Sequence, residues 1–81
     1  MTHARTSIDF RTMPKVCELR KGRVAAAFDM LLPGESLEII CDHRPKGLEA
    51  HMSELRTGQF QWEETEGGPE MFRVDIRRIG F

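Results

Sequence analysis

Ile8 and Phe10 alternate with Ser7, Asp9 and Arg11, the period-two pattern of a short strand with one buried face. Val16, Leu19/Arg20, Val24, Ala27, Phe28 and Leu31 then recur every three to four residues, which predicts a helix with one apolar stripe. Thr12 suits its N-cap, Pro14 its first turn, and Pro33-Gly34 predicts its end at Leu32. Leu37, Ile39 and Cys41 alternate with Glu38, Ile40 and Asp42 in a second strand. Leu48, His51, Met52 and Leu55 mark a shorter amphipathic helix that runs toward Gly58, where glycine tolerates a left-handed ending. Phe60 and Trp62 lie in a third strand, Glu66-Gly67-Gly68-Pro69 turns the chain, and Phe72, Val74 and Ile76 lie in a fourth.

The order β-α-β-α-β-β, with one apolar face per element, predicts an α+β two-layer α/β sandwich. Two helices cover one face of a mixed four-stranded sheet, and the last two strands form an antiparallel hairpin. By parity, Ile8, Phe10, Leu37, Ile39, Cys41, Phe60, Trp62, Phe72, Val74 and Ile76 meet the helices. With 81 residues there is room for one domain, here residues 7–81, preceded by a polar, flexible stretch over residues 1–6.

Twelve Lys and Arg against 13 Asp and Glu leave a net charge of -1, so the overall field favours neither nucleic acid nor an anionic membrane. The longest apolar run, Val24 to Phe28, is far below the roughly 18 residues of a membrane-spanning helix. Two cysteines, Cys17 and Cys41, form neither a CxxC pair nor a disulfide framework, which fits reduced thiols in a cytoplasmic protein.

Asp9-x-Arg11, Phe28-Asp29, Pro33-Gly34-Glu35-Ser36-Leu37, Asp42-His43-x-Pro45, Gly58-Gln59-Phe60-x-Trp62-Glu63, Gly68-Pro69-Glu70 and Phe72-Arg73-Val74 form an ordered set. Together they resemble the bacterial family known as domain of unknown function 2249, over about Ser7 to Ile79. That resemblance implies a fold similar to the TusA/SirA-like sulfur carriers. Such carriers place a nucleophilic cysteine in a Cys-Pro-x-Pro motif at the start of the first helix, where helix dipole and free N–H groups stabilise a thiolate or persulfide. Laid on the carriers' lead-in from Asp9, this chain has Lys15 at the cysteine, Val16 at the first proline and Glu18 at the second. It also has Lys21-Gly22 where relatives carry His-Pro, and Arg44 where an acidic residue follows the histidine.

Asp42-His43-x-Pro45, at the end of the second strand, is the best single site segment. His43 can act as base, ligand or hydrogen-bonding group with Asp42 orienting it, or else either residue caps the second helix while Pro45 stiffens its start. Cys17, beside Lys15 and Lys21, is either an activated thiol or a small residue on the helix flank. Cys41 reads as a core residue. A zinc or iron site from Cys17, Cys41, His43 and His51 lacks any recognised ligand spacing, so neither metal nor cofactor is implied. The arginines Arg5, Arg11, Arg20, Arg23, Arg73, Arg77 and Arg78 invite an RNA reading. The aromatics that would stack on bases, however, share the core face, and Glu63, Glu64, Glu66 and Glu70 intersperse the hairpin arginines.

These residues contain no nucleophile-base pair, phosphate loop or paired carboxylates. The expectation is a non-enzymatic TusA-like domain that binds a partner protein or small ligand through Asp42, His43 and the adjacent helix start with Arg11 and Lys15. The alternative is a persulfide or redox carrier using Cys17.

Overall fold

The computed structural model describes residues 6–13 and 17–79, with residues 17 and 18 as backbone only. Four strands, β1 (Thr6–Asp9), β2 (Ser36–Cys41), β3 (Phe60–Gly67) and β4 (Phe72–Arg78), and two helices, α1 (Cys17–Asp29) and α2 (Lys46–Leu55), follow one another as β1-α1-β2-α2-β3-β4. The sheet order is β1-β2-β4-β3. β1 runs parallel to β2, and the two remaining pairings are antiparallel, so the sheet is mixed as expected.

Alternation sorts the faces. Leu37, Ile39, Cys41, Val74 and Ile76 point to one side and are fully buried with Val24 and Phe28 of α1 and Met52 of α2. Both helices therefore share one core with one sheet face. Each such side chain contributes about 1.5–3 kcal/mol on removal from water. Phe60, Trp62 and Phe72 pack on the same core but are only partly buried, because β3 is an edge strand and Phe72 lies beside the hairpin turn, at the end of the sheet. On the uncovered face Glu38, Asp75 and Glu63 fall in register, flanked by Arg73 and Arg77.

Several local features differ from the sequence pattern. The first strand stops at Asp9, and Phe10–Thr12 form a 3-10 turn. Asp9 accepts from the Arg11 backbone N–H at 2.9 Å and clamps its guanidinium at 2.9 and 2.8 Å, which closes the turn while Phe10 stays buried. Thr12 donates to the Asp9 carbonyl at 3.0 Å and so belongs to that turn instead of capping α1. Pro14 and Val16 lie outside the described residues, as do residues 1–5, whereas Thr6 is already part of β1.

The Leu19/Arg20 ambiguity resolves in favour of arginine: Leu19 is 57% exposed and Arg20 only 8%. Arg20 lies four and eight residues before Val24 and Phe28, so the stripe turns it inward. Its guanidinium donates to the Phe10 carbonyl at 2.8 Å and stacks over the Phe10 ring at 5.1 Å. Helix α1 ends at Asp29, three residues early. Arg78 from β4 donates to the carbonyls of Phe28, Asp29 and Leu31 at 3.4, 3.4 and 3.0 Å, and Leu32 N–H donates to the Glu35 carboxylate at 2.7 Å. Those partners satisfy groups that another helical turn would have used.

β3 continues to Gly67, past the expected turn start, because an irregularity between Glu64 and Glu66 lets pairing resume at Arg73 and Phe72. Gly68 then turns at φ +86°, where a Cβ would sit 2.6 Å from Phe72 Cζ, so only glycine fits. Gly58 also has positive φ, +73°, although α2 itself ends at Leu55.

Candidate functional site

The C-terminal end of β2, the start of α2 and the second turn of α1 meet at one pole of the sandwich. They frame a half-open cavity of about 520 Å³, whose described lining residues are Phe10, Arg20, Lys21, Asp42, His43, Arg44, Pro45, Lys46, Gly47 and Leu48. That volume is in the range of small-molecule sites. Four of these ten described residues are cations and one is a carboxylate, so this pole is locally basic although the chain is not.

Each wall has a local cause. Phe10 is held by the 3-10 turn and covered by Arg20. After Cys41 ends the buried alternation of β2, Asp42, His43 and Arg44 are exposed. His43 Nδ1 lies 2.8 Å from Asp42 Oδ1, so the aspartate holds the ring as expected for an oriented pair. Arg44 forms a two-point ion pair with Glu64 of β3, at 3.0 and 3.1 Å, and stacks over Phe72 at 5.4 Å. That cross-link ties the loop to the hairpin. Buried Pro45 fixes the direction in which α2 leaves.

Neither Asp42 nor His43 caps α2, which corrects the structural alternative. Pro45 occupies the N-cap position and no side chain among the described residues bonds the first-turn amides. Lys46 N–H donates to the Arg44 carbonyl at 2.9 Å and Glu49 N–H to the Pro45 carbonyl at 3.2 Å. Between them, the Gly47 and Leu48 amides have no acceptor among the described residues.

Of the residues singled out from sequence, Asp42 and His43 line the cavity. Arg11 does not: its guanidinium is held by Asp9 and lies 3.5 Å from the Met71 sulfur. Hydrogen bonding to Arg11 holds the Asp9 carboxyl below its usual range. Lys15 and the side chain of Cys17 lie outside the described residues. Cys41 is fully buried, and burial pushes its thiol up to about 11. His51 is half-buried on α2, and among the described residues no three His, Cys, Asp or Glu side chains converge to hold a metal ion.

Four of the arginines in the RNA reading are engaged within the protein, and Arg5 lies outside the described residues. Arg20 and Arg78 donate to backbone carbonyls, Arg11 pairs with Asp9, and Arg73 Nε lies 3.6 Å from Glu38. Arg73 therefore pairs across to β2 although Glu66 is its register partner on β3. Sequence reading missed Lys21, Lys46 and Gly47 as site residues. The available signal was at the start of α2, where Pro45-Lys46-Gly47 supplies no Ser, Thr, Asp or Asn next to the first turn and places a cation where helices favour an acid.

Among the described residues no helix is long and apolar enough to cross a membrane. No curated protein and no solved structure matches the chain. A family model does match, over residues 7–78, and on that span the chain belongs to the family described as uncharacterized conserved protein (DUF2249).

Proposed function

We propose that this protein is a non-enzymatic binding module of TusA/SirA-like fold, acting in a bacterial cytoplasm, that takes a small ligand in the cavity beside Asp42 and His43. The single observation that carries the reading is that concavity, about 520 Å³, framed by three separate parts of the chain. The β-α-β-α-β-β order with both helices on one sheet face supports the fold assignment. Ligand sites in such proteins are concave, with a few polar groups on an apolar wall. Here Phe10, Pro45 and Leu48 supply the apolar wall. The polar groups are already oriented, His43 by Asp42 and Arg44 by Glu64, which lowers the ordering cost of binding.

A fragment screen read by amide shifts in the ¹H–¹⁵N spectrum tests this. Shifts concentrated over Asp42–Leu48 and around Lys21 are expected. Hits confined to the uncovered sheet face, or none across a chemically broad library, would overturn it.

The second reading, a sulfur or redox carrier, rests on α1 beginning at Cys17, since the first turn of a helix favours a thiolate. Alkylation of the native protein against pH, followed for each cysteine by mass spectrometry, separates the two. A carrier requires Cys17 to react fast at neutral pH, and a binding module tolerates Cys17→Ser without loss of ligand. Cys41 is the internal reference. It is fully buried and burial pushes its thiol up to about 11, so its alkylation waits for the structure to open.

A further inference from the structure

The chemistry of the cavity narrows the ligand class, on the reading that the cavity is the binding surface. Lys21 reaches from α1 to the first turn of α2: a Cβ built on Gly47 would lie 3.9 Å from its Cε and 4.0 Å from its Nζ. Lys46, the first residue of α2, lines the same space. Among the described residues neither ammonium group has a carboxylate or carbonyl acceptor. Two unpaired cations therefore sit at the positive end of a helix dipole, where a negative charge is favoured and a positive one opposed. Solvent hydrates both ammonium groups in the free protein, with Glu49 the acidic residue of the same first turn, and the cavity beside them is the space in which an anion can replace that water.

We propose that the cavity binds a small phosphate monoester. The phosphate lies between the Lys21 and Lys46 ammonium groups, within reach of the Gly47 and Leu48 amides, and the organic body rests against Phe10. Two full positive charges and two N–H donors with no acceptor among the described residues match a dianion with three terminal oxygens better than a carboxylate with one charge and two oxygens. The volume, about 520 Å³, suits an organic molecule more than a bare ion. Asp42 stands on the same rim with Oδ1 engaged by His43 Nδ1, so its charge repels an anion there and orients the phosphate toward the lysines. The cavity and the two unpaired lysines carry the inference, and the α2 amides add to it.

The test compares three probes with one ring and different head groups: phenyl phosphate, benzoate and phenol. Each is titrated into the intact protein while the Gly47 and Leu48 amide shifts are followed. Phenyl phosphate is expected to bind about tenfold or more tighter than benzoate, with phenol weakest. Lys21→Gln and Lys46→Gln are each expected to weaken phenyl phosphate by about tenfold, and Arg23→Gln, exposed on α1 outside the cavity, by less than about twofold. The ranking of the three probes on the unaltered protein stands even where a variant folds poorly. Equal binding of benzoate and phenyl phosphate would overturn the phosphate assignment. Equal binding of phenol would overturn any role for charge and leave a cavity with an uncharged ligand. Absence of all three from the cavity would overturn this inference, and the broader fragment screen would then decide the binding role separately.

Discussion

The two poles of the sandwich differ in their cations: the arginines at one are engaged with helix ends, whereas the other has Arg20 and Arg44 engaged beside two lysines that are not. Where α1 and α2 end, Arg78 gives its guanidinium to the carbonyls of Phe28, Asp29 and Leu31, and Arg56 clamps Asp29 at 2.8 and 2.6 Å. Positive charge there meets the negative end of each helix dipole and is fully engaged. Where α2 begins, Lys21 and Lys46 meet the positive end and have no acceptor among the described residues. The contrast separates a pole whose cations secure helix ends from one where, on the proposed reading, two lysines face the ligand cavity.

The sharpest way to break the contrast is to remove the closed pole's anchor. Phe28 is fully buried, meets Phe60 edge-on with ring centroids 6.1 Å apart, and lies under the Arg78 guanidinium at 5.3 Å. Phe28→Ala is expected to cost about 3–5 kcal/mol in urea unfolding, through lost burial and a residual cavity. Arg78→Gln keeps a polar side chain but cannot span three carbonyls, and is expected to cost about 1–2 kcal/mol. A loss near zero for Arg78→Gln would mean that solvent satisfies those carbonyls equally well, and the closed pole would lose its special status.

How much of this was readable from sequence follows from distance along the chain. The alternation of Leu37, Ile39 and Cys41, and of Val74 and Ile76, displays the core face directly, since strand periodicity is local. The end of α1 was misplaced because its cause, Arg78, lies 47 to 50 residues away. The 3-10 turn at Phe10 depends on the Asp9-Arg11 clamp, which strand alternation does not register. Asp42 and His43 were legible as loop polar residues beyond a strand end. Lys21 was not, because its approach to Gly47 needs the two helices to lie side by side.

The Asp29-Arg56 pair tests the closed pole through pH. Hydrogen bonding to Arg56 holds the Asp29 carboxyl below its ordinary 3.8. A depressed folded-state value means that the pair's contribution is present above the unfolded carboxylate range and fades as pH falls through the lower, folded value. Both partners are partly exposed, so the effect is modest: Asp29→Asn is expected to cost about 0.5 kcal/mol at pH 7. The same substitution is expected to flatten the acid limb of the stability-pH curve, and the variant and parent curves should converge at low pH. Parallel curves down to pH 2 would show that the pair contributes nothing that depends on its charge.

The smallest expected effect is also the most diagnostic, because its sign differs from all the others. Neutralising a cation at the positive end of a helix removes an unfavourable interaction of a few tenths of a kcal/mol, reduced by salt screening at an exposed site. Lys46→Gln is therefore expected to raise stability by about 0.3 kcal/mol at low ionic strength, with the gain shrinking as salt is added. Lys21→Gln is expected to behave alike, since Lys21 Nζ approaches the same first turn at Gly47. Chemical unfolding of the parent, both single variants and the double variant at low and high salt provides the measurement. If the substitutions destabilise, the lysines contribute to folding through contacts of their stems, and the open pole is built like the closed one. If they stabilise, the natural lysines reduce stability and need another reason to be there, which a negatively charged ligand supplies.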